Sequence, residues 1–498
     1  MPGPTGSGPT ATQPTATQPA AARQPTQPTA TQSINRQPVR PAPTGPRPNG
    51  DEAIGGRGER SGPGAGDRGG SADQPGAGAG AGGRLEWLDA LRGFAALAVV
   101  YWHLGPRAIL GPPTEARQWV DIGKYGVVLF FVISGYVIPM SLDRYASLRR
   151  FWVGRLFRLY PAFLVASAAM LAVYASGAIA PPRVLTEHPV TTVTAHATML
   201  QGLLGAPQLV PVYWTLSYEM VFYLAAAGMF VLGLHRFAGG VAAGLAAVAA
   251  LAGPLLPGSL LTARGELRGE VAALLVVGLA GTVAGYASGH RRIAVVCAVA
   301  GVGALALPAF NGGTTTARDS WQSLTLVAVM FAGTVVYRVE RGLTGRVGGG
   351  VAVAAVLAAA LAGGWWHLPA GAERRIWLST LTLTAVTFAV AYGLRRRPAP
   401  RLALWCGKLS YSIYLLHLVV LYAVYRSVPF VPDRPFAQQV ALLVAYLLAL
   451  FLAAHLTYRW AERPGRRLGR RLTAGLDRWL GPAVAPAPRR DGIDTRGR

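Results

Sequence analysis

The sequence predicts an all-α protein: a polytopic transmembrane helix bundle of about 10–12 spans, with disordered N-terminal and C-terminal tails. Three observations carry that prediction. Hydrophobic residues make up 52% of the 498 positions and charged residues only 14%. Apolar stretches of about 17–23 residues recur along the chain, which is the length an α-helix needs to cross a bilayer core. The 47 basic residues outnumber the 22 acidic ones, and they gather between the apolar stretches, as the loops of a membrane protein require. A net charge of +25 would also suit a nucleic-acid binder. Basic groups that bracket lipid-spanning segments argue against that class, and no nucleic acid is expected as a partner.

The first 84 residues are of another kind. "PTATQ" stands at 9–13, 14–18 and 28–32, and a Gly-rich run ends in "PGAGAGAGG". Pro, Thr, Gln and Gly without periodicity cannot bury a core, so 1–84 reads as a disordered tail. It lacks an apolar h-region and is not a signal peptide. The expected organisation is therefore this tail, a transmembrane domain over 85–461, and a basic cytoplasmic tail over 462–498.

Twelve apolar segments follow in order. The first, 87–105, contains "LDALRGFAALAVVYWH" (88–103) and carries Asp89, Arg92 and His103. The second, 121–141, contains "FFVISGY" (130–136), whose Ser134-Gly135 pair suits close helix packing. The third, 156–178, is entered through "RFWVGRLFRLYP" (150–161), and the fourth, 213–234, opens with "YWTLSYEMVFYL". Segments 238–256, 270–287 and 291–308 are Ala/Gly-rich, short and weakly separated, which is why ten or eleven spans also satisfy the pattern. Segments 321–337, 347–366 and 376–394 come next. The eleventh, 402–426, contains "KLSYSIYLLH" (408–417), and the twelfth, 437–460, runs into an Arg-rich stretch from Arg459 to Arg471. Cys297 and Cys406 sit in or beside apolar segments and read as packing residues; neither a disulfide framework nor a metal site is expected.

Loop charge gives the orientation. One alternate set of loops holds Arg144, Arg149, Arg150, Arg155 and Arg158, then Arg236, Arg291 and Arg292, then Arg338, Arg341 and Arg346, then Arg395–Arg397 and Arg401. The opposite set is poorer in arginine and carries Glu115, Asp121, Glu187, Asp319 and Asp433. This places the chain in the cell membrane as a multi-pass protein with both termini cytoplasmic.

Ionisable groups inside a membrane segment are functional candidates, because each is expensive unless paired or wet. Arg92 and His103 are eleven positions apart, which on an α-helix leaves them within about 20° of each other and about 16 Å apart in rise. Asp89 shares that face at about 40° from His103, but it lies roughly 20 Å away and cannot orient the imidazole. Arg155 and Arg158 are helix neighbours. They are either positive-inside anchors or a phosphate site, since guanidinium forks match phosphate oxygens. By depth alone Glu219 lies near His103, and it is the candidate for orienting that histidine or for binding an acceptor. Its bland alternative is a partner for a buried arginine. His417, mid-membrane, reads most simply as a helix-packing histidine. Together these positions predict a cationic inner mouth made by Arg155, Arg158 and Arg92, with His103 and Glu219 towards the outer side. The span between them is comparable to the pantetheine arm of coenzyme A.

These residues resemble the membrane acyltransferase 3 family of bacterial integral membrane O-acyltransferases. The likeness covers about 85–461. Its most specific part is an Arg, ten residues, then His in the first helix, met by Arg92 and His103. "FFVISGY", Arg155-x-x-Arg158-x-x-Pro161, "WTLSYE" (214–219) and "YSIYLLH" (411–417) follow in the family's order. The resemblance implies acyl transfer from acyl-CoA to a hydroxyl of a glycan, glycolipid or glycosylated small molecule. His103 matches the family's essential histidine, Arg92, Arg155 and Arg158 its arginines, and Glu219 its helix-four acid. Asp89, Trp214, Ser217, Tyr411 and His417 are further candidates for acceptor binding or structure. Acyl-CoA is then a co-substrate and no bound cofactor is expected. Two departures stand out. Met220 occupies the place where the family often has a second acid, and the family core usually has about ten spans. No appended esterase-like domain is expected.

The chemistry agrees with this implication. An alcohol needs a base to attack a thioester, and histidine has a suitable pKa. Direct attack and an acyl-histidine intermediate both satisfy the pattern. The rival class is a non-enzymatic transporter or glycan flippase, which also carries intramembrane Arg, His and Glu.

Overall fold

The computed structural model describes residues 79–105, 114–262, 269–314, 319–427 and 434–481. Residues 1–78 of the expected N-terminal tail and 482–498 of the expected C-terminal one lie outside the described residues. The principal helices are α1 (Ala79–Leu104), α2 (Ile122–Tyr145), α3 (Leu148–Ala175), α4 (Trp214–Val231), α5 (Ala238–Ala252), α6 (Gly269–Ala287) and α7 (Arg291–Gly303). They are followed by α8 (Ser320–Glu340), α9 (Arg346–His367), α10 (Ala372–Gly393), α11 (Arg401–Ser427), α12 (Phe436–Thr457) and α13 (Arg463–Leu480). No strand occurs among the described residues.

Each of the twelve apolar segments coincides with a helix, α1 to α12. Among the described residues, ten helices are long and apolar enough to cross a membrane, which makes the chain a multi-pass membrane protein. The two others are α6, with a shorter apolar run over Ala273–Ala287, and α1, which carries the polar face of Asp89, Arg92 and His103. Helices α4 and α8 are central: 89% of the apolar window of each is buried inside the protein, against 22% for α10.

Small residues let the central helices touch. A Cβ on Gly135 of α2 would collide with the Met330 carbonyl of α8, and one on Gly333 of α8 with the Val132 carbonyl of α2. Gly407 of α11 meets the Asp89 carbonyl of α1 in the same way, and Gly93 of α1 faces Gly407 and the buried, free Cys406. Lipid gives helices no hydrophobic drive to associate, so close backbone packing of this kind holds them together.

Local signals set the α2–α3 hairpin that carries the arginines. Asp121 caps α2 by accepting from the Lys124 N–H at 2.7 Å. At the other end Ala146 adopts a left-handed conformation (φ 46°), and its N–H returns to the Leu142 carbonyl at 3.0 Å. Ser147 then caps α3 through the Arg150 N–H at 3.3 Å.

Three segments differ from the expectation. Helix α1 begins at Ala79, within the stretch 1–84 expected to be a disordered tail. The connection before α4 runs inside the bundle: Leu203 and Leu204 are fully buried, and the Gly202 N–H donates to Ser217 Oγ at 3.0 Å. Helix α4 consequently starts deeper than a surface loop would place it. The stretch expected to be a basic tail is helical from Arg463 to Leu480. It continues from α12 through a π-turn at Tyr458–Glu462. Gly465 and Gly469 lie against Phe157 of α3, and Thr473, one turn on, is buried. That spacing of four puts small residues on one face and leaves Arg463, Arg467, Arg470 and Arg471 exposed. Two buried charges fasten this helix. Arg149 of α3 donates to Asp477 at 2.8 Å and to the Gly481 carbonyl at 2.9 Å. Glu462 accepts from Ser412 at 2.5 Å and Arg466 at 2.7 Å.

Candidate active site

A narrow cavity of about 60 Å³ opens among α1, α2, α3, α4 and α11. Arg92, Arg155 and Arg158 line it, with Ser134, Glu219, Tyr223, Tyr411 and Tyr414. Each is placed by a different local cause. Arg92 lies one turn beyond the α1–α11 contact at Asp89. Arg155 is turned inward by the α2–α3 hairpin: its Nη2 donates to Ser141 Oγ at 2.6 Å, and its guanidinium lies 5.4 Å from the Tyr223 ring centre and 5.5 Å from that of Phe151. Arg158 is one turn further along α3 and makes no hydrogen bond to the described residues. The cavity thus presents guanidinium donors that the protein leaves largely unused, which is what an anionic ligand requires.

Glu219 is held by hydroxyls. Tyr223, four residues on, donates to its Oε1, and Ser134 donates to the same oxygen at 3.4 Å. Among the described residues no ion pair within 4 Å joins Glu219 to an arginine. The carboxylate therefore offsets the cationic cavity without neutralising any one guanidinium.

Beyond Tyr414, at the far wall, stands a pair of imidazoles. The Tyr414 hydroxyl bonds Thr215 at 2.9 Å and the Val212 carbonyl at 3.0 Å, and its ring centre is 6.0 Å from that of His417. His417 is fully buried, and its Nδ1 lies 2.7 Å from the Tyr414 carbonyl. A carbonyl only accepts, so the neutral ring carries its proton on Nδ1 and leaves a lone pair on Nε2. That Nε2 is 3.2 Å from His103 Nδ1, which is also 2.9 Å from the Val99 carbonyl. Both neighbours of His103 Nδ1 are then acceptors. They hold its proton on Nδ1 and leave Nε2 with a free lone pair, the form a general base needs.

The structure brings Arg92, Arg155, Arg158, Glu219 and Tyr411 to one cavity and His103 to His417. It does not bring Glu219 to His103. Depth counted from the start of the fourth segment had put those two level; the buried connection before α4 moves Glu219 to the arginine cavity. Asp89 is half-buried at the α1–α11 contact. Ser217 pins the connection before α4, and Tyr411 donates to the Leu159 carbonyl at 3.0 Å. Trp214 packs edge-on against Phe131 and Tyr218. Met220, at the position of the family's second acid, faces an apolar groove with Trp152 and Phe157. Sequence reasoning missed Tyr223, although a tyrosine four residues after a membrane glutamate is a legible pair. It also missed Ser141 and Tyr414, whose roles come from contacts between distant helices.

A family profile described as "Acyltransferase domain" (acyltransferase 3) matches residues 85–459. Nodulation protein 10 of Rhizobium leguminosarum bv. viciae is 32% identical over 153 residues, which are 28% of this chain and 42% of that protein. Acyltransferase MdmB of Streptomyces mycarofaciens is 28% identical over 148 residues, 28% of this chain and 38% of that one. A protein provisionally named an O-acetyltransferase in Staphylococcus aureus (strain COL) is 39% identical over 84 residues, 16% of this chain and 12% of that one. The chain thus spans less than half the length of each of these curated relatives. No solved structure matches the chain.

Proposed function

The chain belongs to the acyltransferase 3 family, and from that premise we propose that it is an integral membrane O-acyltransferase. It moves a short acyl group from acyl-CoA to a hydroxyl of a glycan, glycolipid or glycosylated small molecule. The observation that carries this reading is the convergence of three arginines on one cavity whose far wall adjoins a histidine with a free Nε2. Relatives named as an acyltransferase and an O-acetyltransferase support the reaction class.

On this reading Arg92, Arg155 and Arg158 bind the phosphates of acyl-CoA. At about 60 Å³ the cavity admits a slim chain and excludes a nucleotide, so the adenosine stays outside at the arginine end. The thioester reaches towards His103, about 16 Å of helix rise from Arg92. His103 Nε2 takes the proton of the acceptor hydroxyl as its oxygen bonds to the thioester carbon. The carbon–sulfur bond then breaks, and the leaving thiolate takes that proton from the imidazolium. Glu219 balances charge at the arginines and does not act on His103. The arginine bias of the loops supports a cytoplasmic donor side and two cytoplasmic termini in the cell membrane.

The test is release of free thiol from acetyl-CoA by the purified full-length chain with a hydroxyl acceptor. Wild type releases thiol with matching acceptor acylation. His103→Ala, correctly inserted, loses about 10²–10⁴ in rate. Transport of a glycan without thiol release would establish the rival class instead.

A further inference from the structure

At the end of the bundle away from the arginines, the N-terminal halves of α2, α8 and α10 border a second cavity of about 260 Å³. The residues that matter are Asp121 (α2), Asp319 and Gln322 (α8), Thr380 and Trp377 (α10), and Trp214 (α4). Acids at helix N-termini have an ordinary explanation, and Asp121 meets it by capping α2. Asp319 occupies the same place on α8, yet its exposed side chain closes no cap and is left to solvent or a ligand. Thr380 is more telling. It is 4% exposed, and its hydroxyl has no hydrogen-bond partner. A helical threonine commonly returns its hydroxyl to the carbonyl four residues back, as Thr384 does to Thr380 at 2.8 Å. Gln322, 7% exposed, also makes no side-chain hydrogen bond to the described residues. Leaving a buried group such as the Thr380 hydroxyl unmatched destabilises the protein, so it needs an explanation.

A buried, unmatched hydroxyl (Thr380), a carboxamide (Gln322) and an exposed carboxylate (Asp319) line one cavity with two indoles. An anion is disfavoured because Asp121, Asp319 and Glu373 outnumber Lys124 in the lining. An alkyl chain leaves the polar groups unmatched. A sugar ring satisfies both sets: its hydroxyls donate to and accept from the polar groups, and its C–H face packs on an indole. The volume lies below the roughly 300–1,000 Å³ of a drug-sized site, which fits a single ring. Val127 lines both this cavity and the arginine cavity, and Asp121 lies within electrostatic range of His103. We propose that this cavity binds one neutral pyranose ring of the acceptor and presents it from the side opposite the donor. This rests on the O-acyltransferase reading above.

The experiment titrates the detergent-solubilised full-length chain with methyl glucoside, methyl mannoside, methyl galactoside and methyl N-acetylglucosaminide, without acyl-CoA, and follows tryptophan fluorescence. At least one glycoside gives a saturable change. Thr380→Val and Asp319→Asn each weaken its binding about tenfold. Thr380→Val removes an unmatched hydroxyl, so its melting temperature stays at or above that of wild type, which separates lost binding from lost folding. The proposal is overturned if no glycoside saturates with wild type, or if both variants bind as wild type does. The titration needs no turnover. A wild-type chain that binds a glycoside but releases no thiol from acetyl-CoA overturns the transferase reading alone.

Discussion

Replacing His417 by leucine tests whether the second imidazole sets the proton position of the first. In the wild-type chain the His103 Nδ1–H faces two acceptors, the Val99 carbonyl at 2.9 Å and His417 Nε2 at 3.2 Å. Leucine fills a similar volume and removes the second acceptor. One neutral hydrogen bond contributes about 0.5–1.5 kcal/mol, which corresponds to about a two- to thirteenfold fall in kcat. The Val99 carbonyl remains, so the loss stays well short of the 10²–10⁴ expected for His103→Ala. His417→Gln restores an acceptor oxygen and recovers most of the rate. Neither change touches the arginine cavity, so KM for acetyl-CoA holds. The assay is thiol release from acetyl-CoA with saturating acceptor. Three results would refute the reasoning: a leucine variant as fast as wild type, one as slow as His103→Ala, or a glutamine variant no better than leucine.

Further outcomes are expected elsewhere. The double change Arg155→Lys, Arg158→Lys keeps the loop charge, so the protein inserts normally, but it loses the guanidinium fork and raises KM for acyl-CoA about tenfold; unchanged donor affinity would reduce these arginines to topology signals. Gly135→Leu forces α2 and α8 apart where a Cβ already meets the Met330 carbonyl, and it destabilises by about 1–3 kcal/mol, read as a lower melting temperature in detergent. Removing residues 1–78 leaves insertion and thiol release intact, because a Pro/Thr/Gln/Gly segment contributes no core; a correctly inserted but inactive truncation would contradict this.

The sequence by itself determined what depends on neighbours along the chain. A span announces itself through apolar residues within one helix, so all twelve segments were legible. So was the placing of Arg92 and His103 on one face, because rise and rotation within a helix are rigid. Arg155 and Arg158 were readable as a pair for the same reason. What only the tertiary structure decided depends on which distant helices touch, and at what depth. The level of Glu219 followed from a buried connection that no hydropathy count reveals. The meeting of His417 with His103 joins residues 314 positions apart. The arginines of α13 concealed its small-residue face, because composition averages over directions that a helix keeps separate. Asp319 looked like a loop acid and Thr380 like one more span residue. That both line one cavity, with the Thr380 hydroxyl buried and unmatched, became visible only when α2, α8 and α10 were set around it.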